Sequence, residues 1–364
     1  MRFSKICFID WFAYPLFNAR SKIVFGGAQI QLYFLAKELA RNKRFKIIFL
    51  TDNKKNNRQE TFGAIQVNQL LLASLGNYWQ FFIQLLGQLN MICADVYIQR
   101  AASAETGLIA LVCRMLEKRF IFMVAHEQDI NGDFVKRNGW RGKLFLLGLK
   151  LADKIICQTK KQQSYLAEQY RNKSVVVASG FPLKPLPDDR VRKEGVLWVA
   201  RAEDWKQPEM FIRLAQKFPQ EKFTMICPPA ENNPNYFKII ETKAQKIPNL
   251  KFIPWVPFNR IDSYFRKAKI FVSTSFSEGF PNTFIQAWQN LVPVISYKVN
   301  PDKIIDKHRL GFCANGDEGQ MEKLLKKVLK NNQLRRQLAV NSYNYVRQYH
   351  DLKKNIVNII ANIL

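Results

Sequence analysis

Residues 271–287 read FVSTSFSEGFPNTFIQA, an apolar strand running into a Ser-, Gly- and Pro-rich turn, with a helix opening near Asn282. The first turn of a helix leaves backbone N–H groups without acceptors and carries the positive end of the dipole. Gly279, Phe280, Pro281, Asn282 and Thr283 therefore offer a place for an anion such as a diphosphate. Glu278 sets one carboxylate beside that place, able to accept hydrogen bonds from sugar hydroxyls. Gln286, further along the helix, offers an amide to a second polar group such as a ribose. Without a ligand the same pattern is an ordinary capped helix with an exposed glutamate.

A second group lies in LWVARAEDWKQP, residues 197–208. A strand ends at Ala200, and Arg201 and Lys206 follow in the loop at its carboxyl end. Two fixed cations there would neutralise a departing diphosphate in place of a metal ion. In a chain this basic the alternative is a pair of solvated surface charges, and the position after a strand favours the functional reading. Gly26 and Gly27 precede an amphipathic helix and let backbone approach a ligand closely, or simply make a tight turn. His126, in FMVAHEQD directly after a strand, is either structural or placed for catalysis, with Glu127 and Asp129 beside it as possible general bases.

The elements that must hold these groups alternate. Short β-branched and aromatic runs such as Lys5–Ile9, Lys46–Thr51, Phe120–Val124, Val196–Val199, Phe223–Cys227 and Ile270–Ser273 are separated by helix-length patterns such as Ile30–Arg41, Lys161–Tyr170, Gln207–Phe218 and Asn282–Asn290. Apolar strands alternating with helices imply parallel sheets covered on both faces. The chain has 364 residues, enough for two domains. Three prolines and a charge cluster in FPLKPLPDDRVRKEG, residues 181–195, mark the linker. The expected domains are 1–185, 186–345, and a terminal helix within 346–364 that packs back on the first. The expected fold is α/β, two doubly wound Rossmann-like domains facing each other across a cleft.

Composition narrows the partners. Lys and Arg number 56 against 29 Asp and Glu, a net charge of +27 spread over both halves, which favours polyanions: nucleotides, nucleic acid or an anionic membrane leaflet. The 6 cysteines form no CxxC pair and fit reduced thiols in a cytosolic protein; the 3 histidines lack partners at zinc-site spacing, so no metal is expected. Asp10 interrupts the first apolar stretch and no small-residue cleavage site follows, so no signal peptide is expected, and no segment reads as a membrane span. Residues 61–94 carry no charge, and Asn77, Gln80, Gln84 and Gln88 recur at helical spacing. This predicts an amphipathic helix, either buried against its neighbours or lying on a bilayer beside the basic-aromatic mix of Lys136, Arg137, Trp140, Arg141 and Lys143.

The order of these signals resembles the retaining, nucleotide-sugar-dependent glycosyltransferases of family 4 (glycosyl transferases group 1, GT-B fold). A Gly-Gly turn, a mid-domain His, Arg–x4–Lys, and Glu-Gly-Phe-Pro carry the likeness, with ADKIICQT at 152–159, SVVVASGF at 174–181, NLKFIPWVP at 249–257 and PVIS at 293–296. It implies that Arg201 and Lys206 bind the donor diphosphate and that Glu278 contacts the donor sugar. Phe280 through Thr283 would hold the phosphates, Gly26 and Gly27 would face the donor, and His126 would lie near the reacting carbon. Gln286 stands where the family has a second Glu, Gln29 where an acid is common, and Ala200 and Gln207 where glycines occur. Val299-Asn300-Pro301-Asp302 replaces a Gly-Gly turn. The implied activity is transfer with retention, metal-free and without a covalent nucleophile. The acceptor would be a saccharide or lipid-linked saccharide in cell-surface polysaccharide biosynthesis, with the protein cytoplasmic and peripheral on the inner face of the membrane. A nucleotide-sugar epimerase on the same fold, and third a basic nucleic-acid-binding protein, are the rival readings.

Overall fold

The computed structural model describes residues 4–18, 25–52, 57–71, 77–187, 192–230 and 233–363. Residues 72–76 of the uncharged stretch, 188–191 of the expected linker and Leu364 of the last helix lie outside the described residues. The chain forms two compact units, Met1–Pro182 with Leu352–Leu364, and Leu183–Asp351.

Unit 1 runs β1 (Ser4–Ile9), α1 (Gly27–Leu39), β2 (Phe45–Asp52), β3 (Arg58–Phe62), β4 (Ile65–Leu70), α2 (Tyr78–Ile92), β5 (Val96–Arg100), α3 (Glu105–Met115), β6 (Arg119–Met123), α4 (Asp133–Asn138), α5 (Trp140–Leu151), β7 (Lys154–Cys157), α6 (Lys160–Tyr165), α7 (Glu168–Arg171) and β8 (Ser174–Val176). Its sheet has the order β3-β4-β2-β1-β5-β6-β7-β8. Only the pairing of β3 with β4 is antiparallel among these strands. Successive side chains of a strand point to opposite faces. Cys7 and Ile9 of β1 accordingly join one core with Leu85, Leu89 and Phe122, while Ile6 and Phe8 join another with Leu32, Leu35 and Phe49.

Unit 2 runs β9 (Val196–Val199), α8 (Pro208–Lys217), β10 (Phe223–Ile226), α9 (Pro234–Gln245), β11 (Leu250–Ile253), α10 (Ile261–Lys267), β12 (Ile270–Ser273), α11 (Asn282–Gln289), β13 (Val294–Ser296), α12 (Ile304–Lys307), β14 (Gly311–Cys313), α13 (Glu318–Lys330) and α14 (Asn332–Tyr349). The sheet β11-β10-β9-β12-β13-β14 is parallel at every pairing. Its first strand in sequence, β9, lies inside the sheet, so the connections leave in opposite directions from β9 and β12. That reversal opens a crevice at the carboxyl ends of these two strands. In unit 1 the corresponding reversal falls between β1 and β5.

The last helix, α15 (Leu352–Ile363), belongs to unit 1, whereas α14 continues to Tyr349 within unit 2. Ile356 and Ile359 of α15 pack into the core beside Leu32 and Leu35 of α1, and the Asn355 amide donates to the carbonyl of Ala178 at 3.0 Å.

Two expected elements differ. The uncharged stretch opens not as helix but as the end of β3 and then β4, turning at Gly63 with φ +62°. Ile65 and Val67 alternate inward against Gln66 and Asn68, a period of two that the absence of charge had hidden. The pattern at 161–170 is two short helices, because Leu166 and Ala167 are extended. Packing is close where α3 crosses α5. A β-carbon on Gly107 would collide with the Leu144 carbonyl, and one on Gly148 would lie 2.8 Å from Thr106 backbone. Gly107→Ala should therefore lower unfolding free energy by about 1–3 kcal/mol, the usual cost of overpacking, in a denaturant titration.

Candidate active site

In unit 2 the two loops that leave β9 and β12 are stitched together at the sheet's reversal. The Thr274 hydroxyl donates to the Lys206 carbonyl at 2.6 Å and accepts from Trp198 Nε1 at 2.8 Å. Backbone N–H of Phe276 donates to the Trp205 carbonyl at 2.8 Å. The result is direct contact between Lys206 and Glu278: Nζ pairs with Oε1, and both side chains are only 14% exposed. Ser275 Oγ donates to the same carboxylate oxygen at 2.9 Å, and Nζ also lies over the Trp205 ring, 3.7 Å from its centroid. Arg201 sits earlier on the β9 loop, half-exposed, paired with Glu203 at 3.1 Å.

The chain passes from Glu278 straight into α11. Gly279, Phe280 and Pro281 are buried, with Phe280 packed on the His350 ring at 4.7 Å; Asn282 and Thr283 open the helix half-buried. Pro281 is the N-cap and makes no side-chain cap bond; its carbonyl accepts from Phe284 N–H at 3.0 Å, and the positive end of the helix dipole lies at this turn. Gln286 is 8% exposed on the same helix. An amide at so enclosed a position costs less desolvation than a carboxylate would. Gln207 has φ +50°, the left-handed backbone in which glycine is at ease, so the chain carries a strained residue at that turn.

Gly26, Gly27 and His126 belong to unit 1. Gly26 caps α1 and Gly27 is its first residue. Gln29 holds the turn from within the helix: its Oε1 accepts from Gly26 N–H at 2.8 Å, and its Nε2 donates to Asp10 Oδ2 at 2.9 Å. Asp10, at the end of β1, is buried, and burial pushes its pKa up to about 6 against the pull of the Phe12 N–H and Gln29. An amide at position 29 both donates and accepts here, which an acid could not do beside Asp10.

His126 is gripped through its backbone. Asp129 Oδ2 accepts from the N–H groups of Ala125 at 2.8 Å and His126 at 2.9 Å. Gln158 Nε2 donates to the carbonyls of Val124 and Ala125 at 3.1 and 2.8 Å. Burial raises the Asp129 carboxyl, while those amides and the His126 charge oppose it; Arg100, also buried, is pushed down to about 10 by burial, with Asp129 as its counter-charge. Glu127 pairs with Lys161 at 3.0 Å. Neither acid is therefore poised as a base beside His126. The ring itself accepts from Gln128 N–H at Nδ1, 3.1 Å away, so a neutral imidazole carries its proton on Nε2 and presents a donor there.

Ser275, Thr274, Asp10 and Gln158 are the supporting residues that sequence reasoning passed over. Ser and Thr flanking a strand end read as turn formers, and only the three-dimensional pairing gives them a role. Among the described residues no group of three or more His, Cys, Asp or Glu could hold a metal ion.

Two measurements follow. Because Asp10 has a raised pKa, the native state binds more protons than the unfolded chain from the ordinary carboxylate range up to about 6, and the stability that this gives is lost as pH rises through that value. Gln29→Glu places a second carboxylate there; its melting temperature should match wild type near pH ~4 and fall progressively behind as pH rises. A gap independent of pH would contradict the assignment. For His126, ¹⁵N NMR under mildly alkaline conditions should report the Nε2–H tautomer, and an Nδ1–H signal would contradict the hydrogen bond.

Residues 189–345 match the family described as Glycosyl transferases group 1. Glycosyltransferase 1 domain-containing protein 1 of Xenopus tropicalis is 24% identical over 142 residues, covering 39% of this chain and 41% of that protein. The chain spans between 41% and 64% of the length of the curated relatives it matches. Among solved structures, a sucrose-phosphate synthase from Thermosynechococcus elongatus superimposes with a TM-score of 0.81 at 14% identity, covering 98% of both chains. HepE from Anabaena, solved with UDP and glucose, gives 0.76 at 15% identity, again over 98% of both. The chain thus has the two-domain, parallel-sheet α/β fold of GT-B glycosyltransferases, and its residues 189–345 are similar to the glycosyl transferases group 1 family.

Proposed function

We propose that the protein transfers a sugar from a nucleotide-sugar donor to a saccharide or lipid-linked saccharide acceptor with retention of configuration. The setting would be cell-surface polysaccharide assembly at the cytoplasmic face of an anionic membrane. The observation that carries this reading is the contact of Lys206 with Glu278 immediately before the first turn of α11. One cation, one carboxylate and the positive end of a helix dipole adjoin there, which suits a sugar joined to a diphosphate.

In the proposed reaction the anomeric C–O bond to the diphosphate breaks through a loose, oxocarbenium-like transition state. The leaving diphosphate gains charge as the bond stretches, and Arg201, Lys206 and the α11 N-terminus stabilise it without a metal ion. Glu278 accepts hydrogen bonds from sugar hydroxyls, and Ser275 holds the carboxylate in place. His126 donates from Nε2 to the donor sugar or to the acceptor. The acceptor hydroxyl attacks from the face the diphosphate leaves, and its proton passes to a diphosphate oxygen, so that no covalent glycosyl-enzyme forms. That HepE was solved with UDP and glucose makes UDP-sugars the first donors to test.

Thermal-shift screening against UDP-, GDP- and ADP-sugars tests the reading, since a ligand that binds only the folded state raises its apparent stability. At least one sugar nucleotide should raise the melting temperature. Arg201→Ala should weaken the free nucleoside diphosphate and its sugar conjugate alike, by about 10- to 100-fold. Glu278→Ala should leave the diphosphate's effect and remove the increment due to the sugar. With the stabilising donor and a saccharide acceptor, the product should keep the donor's anomeric configuration by NMR. Inversion, or epimerisation of the donor without acceptor, would contradict the proposal.

A further inference from the structure

The helix α2 divides into two faces that the sequence pattern alone does not separate. Phe81, Leu85, Leu89 and Ile92 are buried in the core of unit 1. On the outer side Trp79 and Met91 are each 72% exposed and Ile83 is 52% exposed. The helix has no charged residue over its 15 positions; its solvent-facing polar side chains are the exposed Gln80 and Asn90 and the half-buried Gln84 and Gln88. The expectation of a polar stripe on this helix is thus only partly met: solvent meets large apolar side chains as well.

The N-terminal end of α2 abuts α5 through Tyr78, which packs on the core. The Tyr78 ring meets Trp140 edge-on at 4.8 Å, Trp140 is 55% exposed, and the Arg141 guanidinium lies 5.7 Å from the Trp140 ring centroid. Lys136, Arg137, Arg141 and Lys143 are all exposed around it, and Asp133 is the only acid between Ile130 and Ala152. Aromatic side chains with a polar edge, an uncharged helix lying flat, and a rim of cations together make the pattern of a helix seated at a bilayer interface.

We infer that the outer face of α2, with Trp140 and the cations at 136–143, is the surface by which this protein docks on an anionic phospholipid membrane. Trp79, Ile83 and Met91 enter the boundary between headgroups and acyl chains, while Trp140 stays at headgroup level. Lys136, Arg137, Arg141 and Lys143 meet lipid phosphates. Charge decides between occupants. A second copy of a chain with net charge +27 would bring cations against cations, and a nucleic acid would set phosphates against Ile83 and Met91. The inference rests on the proposed membrane-borne acceptor for its purpose, but the docking itself is measured without any substrate.

The test is co-sedimentation of the full chain with vesicles of phosphatidylcholine alone or with added phosphatidylglycerol. Wild type should pellet with the anionic vesicles at least tenfold more tightly than with neutral ones, with a blue shift in tryptophan fluorescence. Trp79→Ser with Ile83→Ser, both exposed and so expected to keep the wild-type melting temperature, should weaken binding at least tenfold. Lys136→Glu with Arg137→Glu and Arg141→Glu should remove the preference for anionic lipid. Arg201→Ala should bind vesicles like wild type while losing its response to nucleotide, and the Trp79/Ile83 variant should keep that response, so the two proposals fail separately. Absence of wild-type binding at low salt would overturn the inference. So would equal binding by the Trp79/Ile83 variant, or self-association of wild type that this variant abolishes.

Discussion

An ammonium group held at 14% exposure needs a counter-charge, and in this protein Glu278 supplies it to Lys206. Each group alone would be costly to keep out of water, and removing one would strand the other. Together they hold two loops, one from β9 and one from β12, at the point where the sheet's connections reverse. The Thr274 bridge and the Phe276 N–H to Trp205 carbonyl bond make that junction rigid rather than incidental. The arrangement is also exchangeable. In the proposed reaction a diphosphate brings more negative charge than a carboxylate, so Lys206 would turn to it while Glu278 turned to the sugar's hydroxyls.

Unit 1 solves a related problem with backbone rather than charge. Its chemistry-bearing loops end at β1 and β6, and each is held by a buried acid that accepts N–H groups: Asp10 through Phe12 and Gln29, Asp129 through Ala125 and His126. Burying a carboxylate is tolerable only where donors surround it, and apart from the Gln29 side-chain amide these donors are the backbone of the loops themselves. Order in the Gly-Gly turn and in the peptide before His126 thus comes from groups that never need to touch a substrate.

Much of this was legible in the sequence, and for a physical reason. Parallel strands covered on both faces must be apolar along their whole length, so β1, β2, β6, β9, β10 and β12 stand out as runs. Glu278, the Gly-Phe-Pro turn and the start of α11 are contiguous, and their relation survives without coordinates. What stayed hidden depends on pairing across distance. The hairpin of β3 and β4 runs into the charge-free segment, where the helical polar spacing that begins at Asn77 suggests a helix extending back over the strand β4. The support that Thr274 and Ser275 give to Lys206 and Glu278 spans about seventy residues for the first pair, beyond any local pattern. Gln29 reads as a departure from a family habit until Asp10 is seen beside it, and then the amide is what the neighbouring carboxylate requires. The outer face of α2 shows the same limit: Trp79, Ile83 and Met91 share a helix with the core residues, and only burial tells them apart.

Calorimetric titration of UDP into wild type, Lys206→Met and Glu278→Gln examines the exchange at the centre of this account. Losing the ammonium should weaken UDP by about 10- to 100-fold, as expected for a charged hydrogen bond. Neutralising its carboxylate partner should leave UDP bound as tightly as in wild type or more tightly. Unchanged affinity in Lys206→Met would contradict the account, because the lysine would then serve only to balance Glu278.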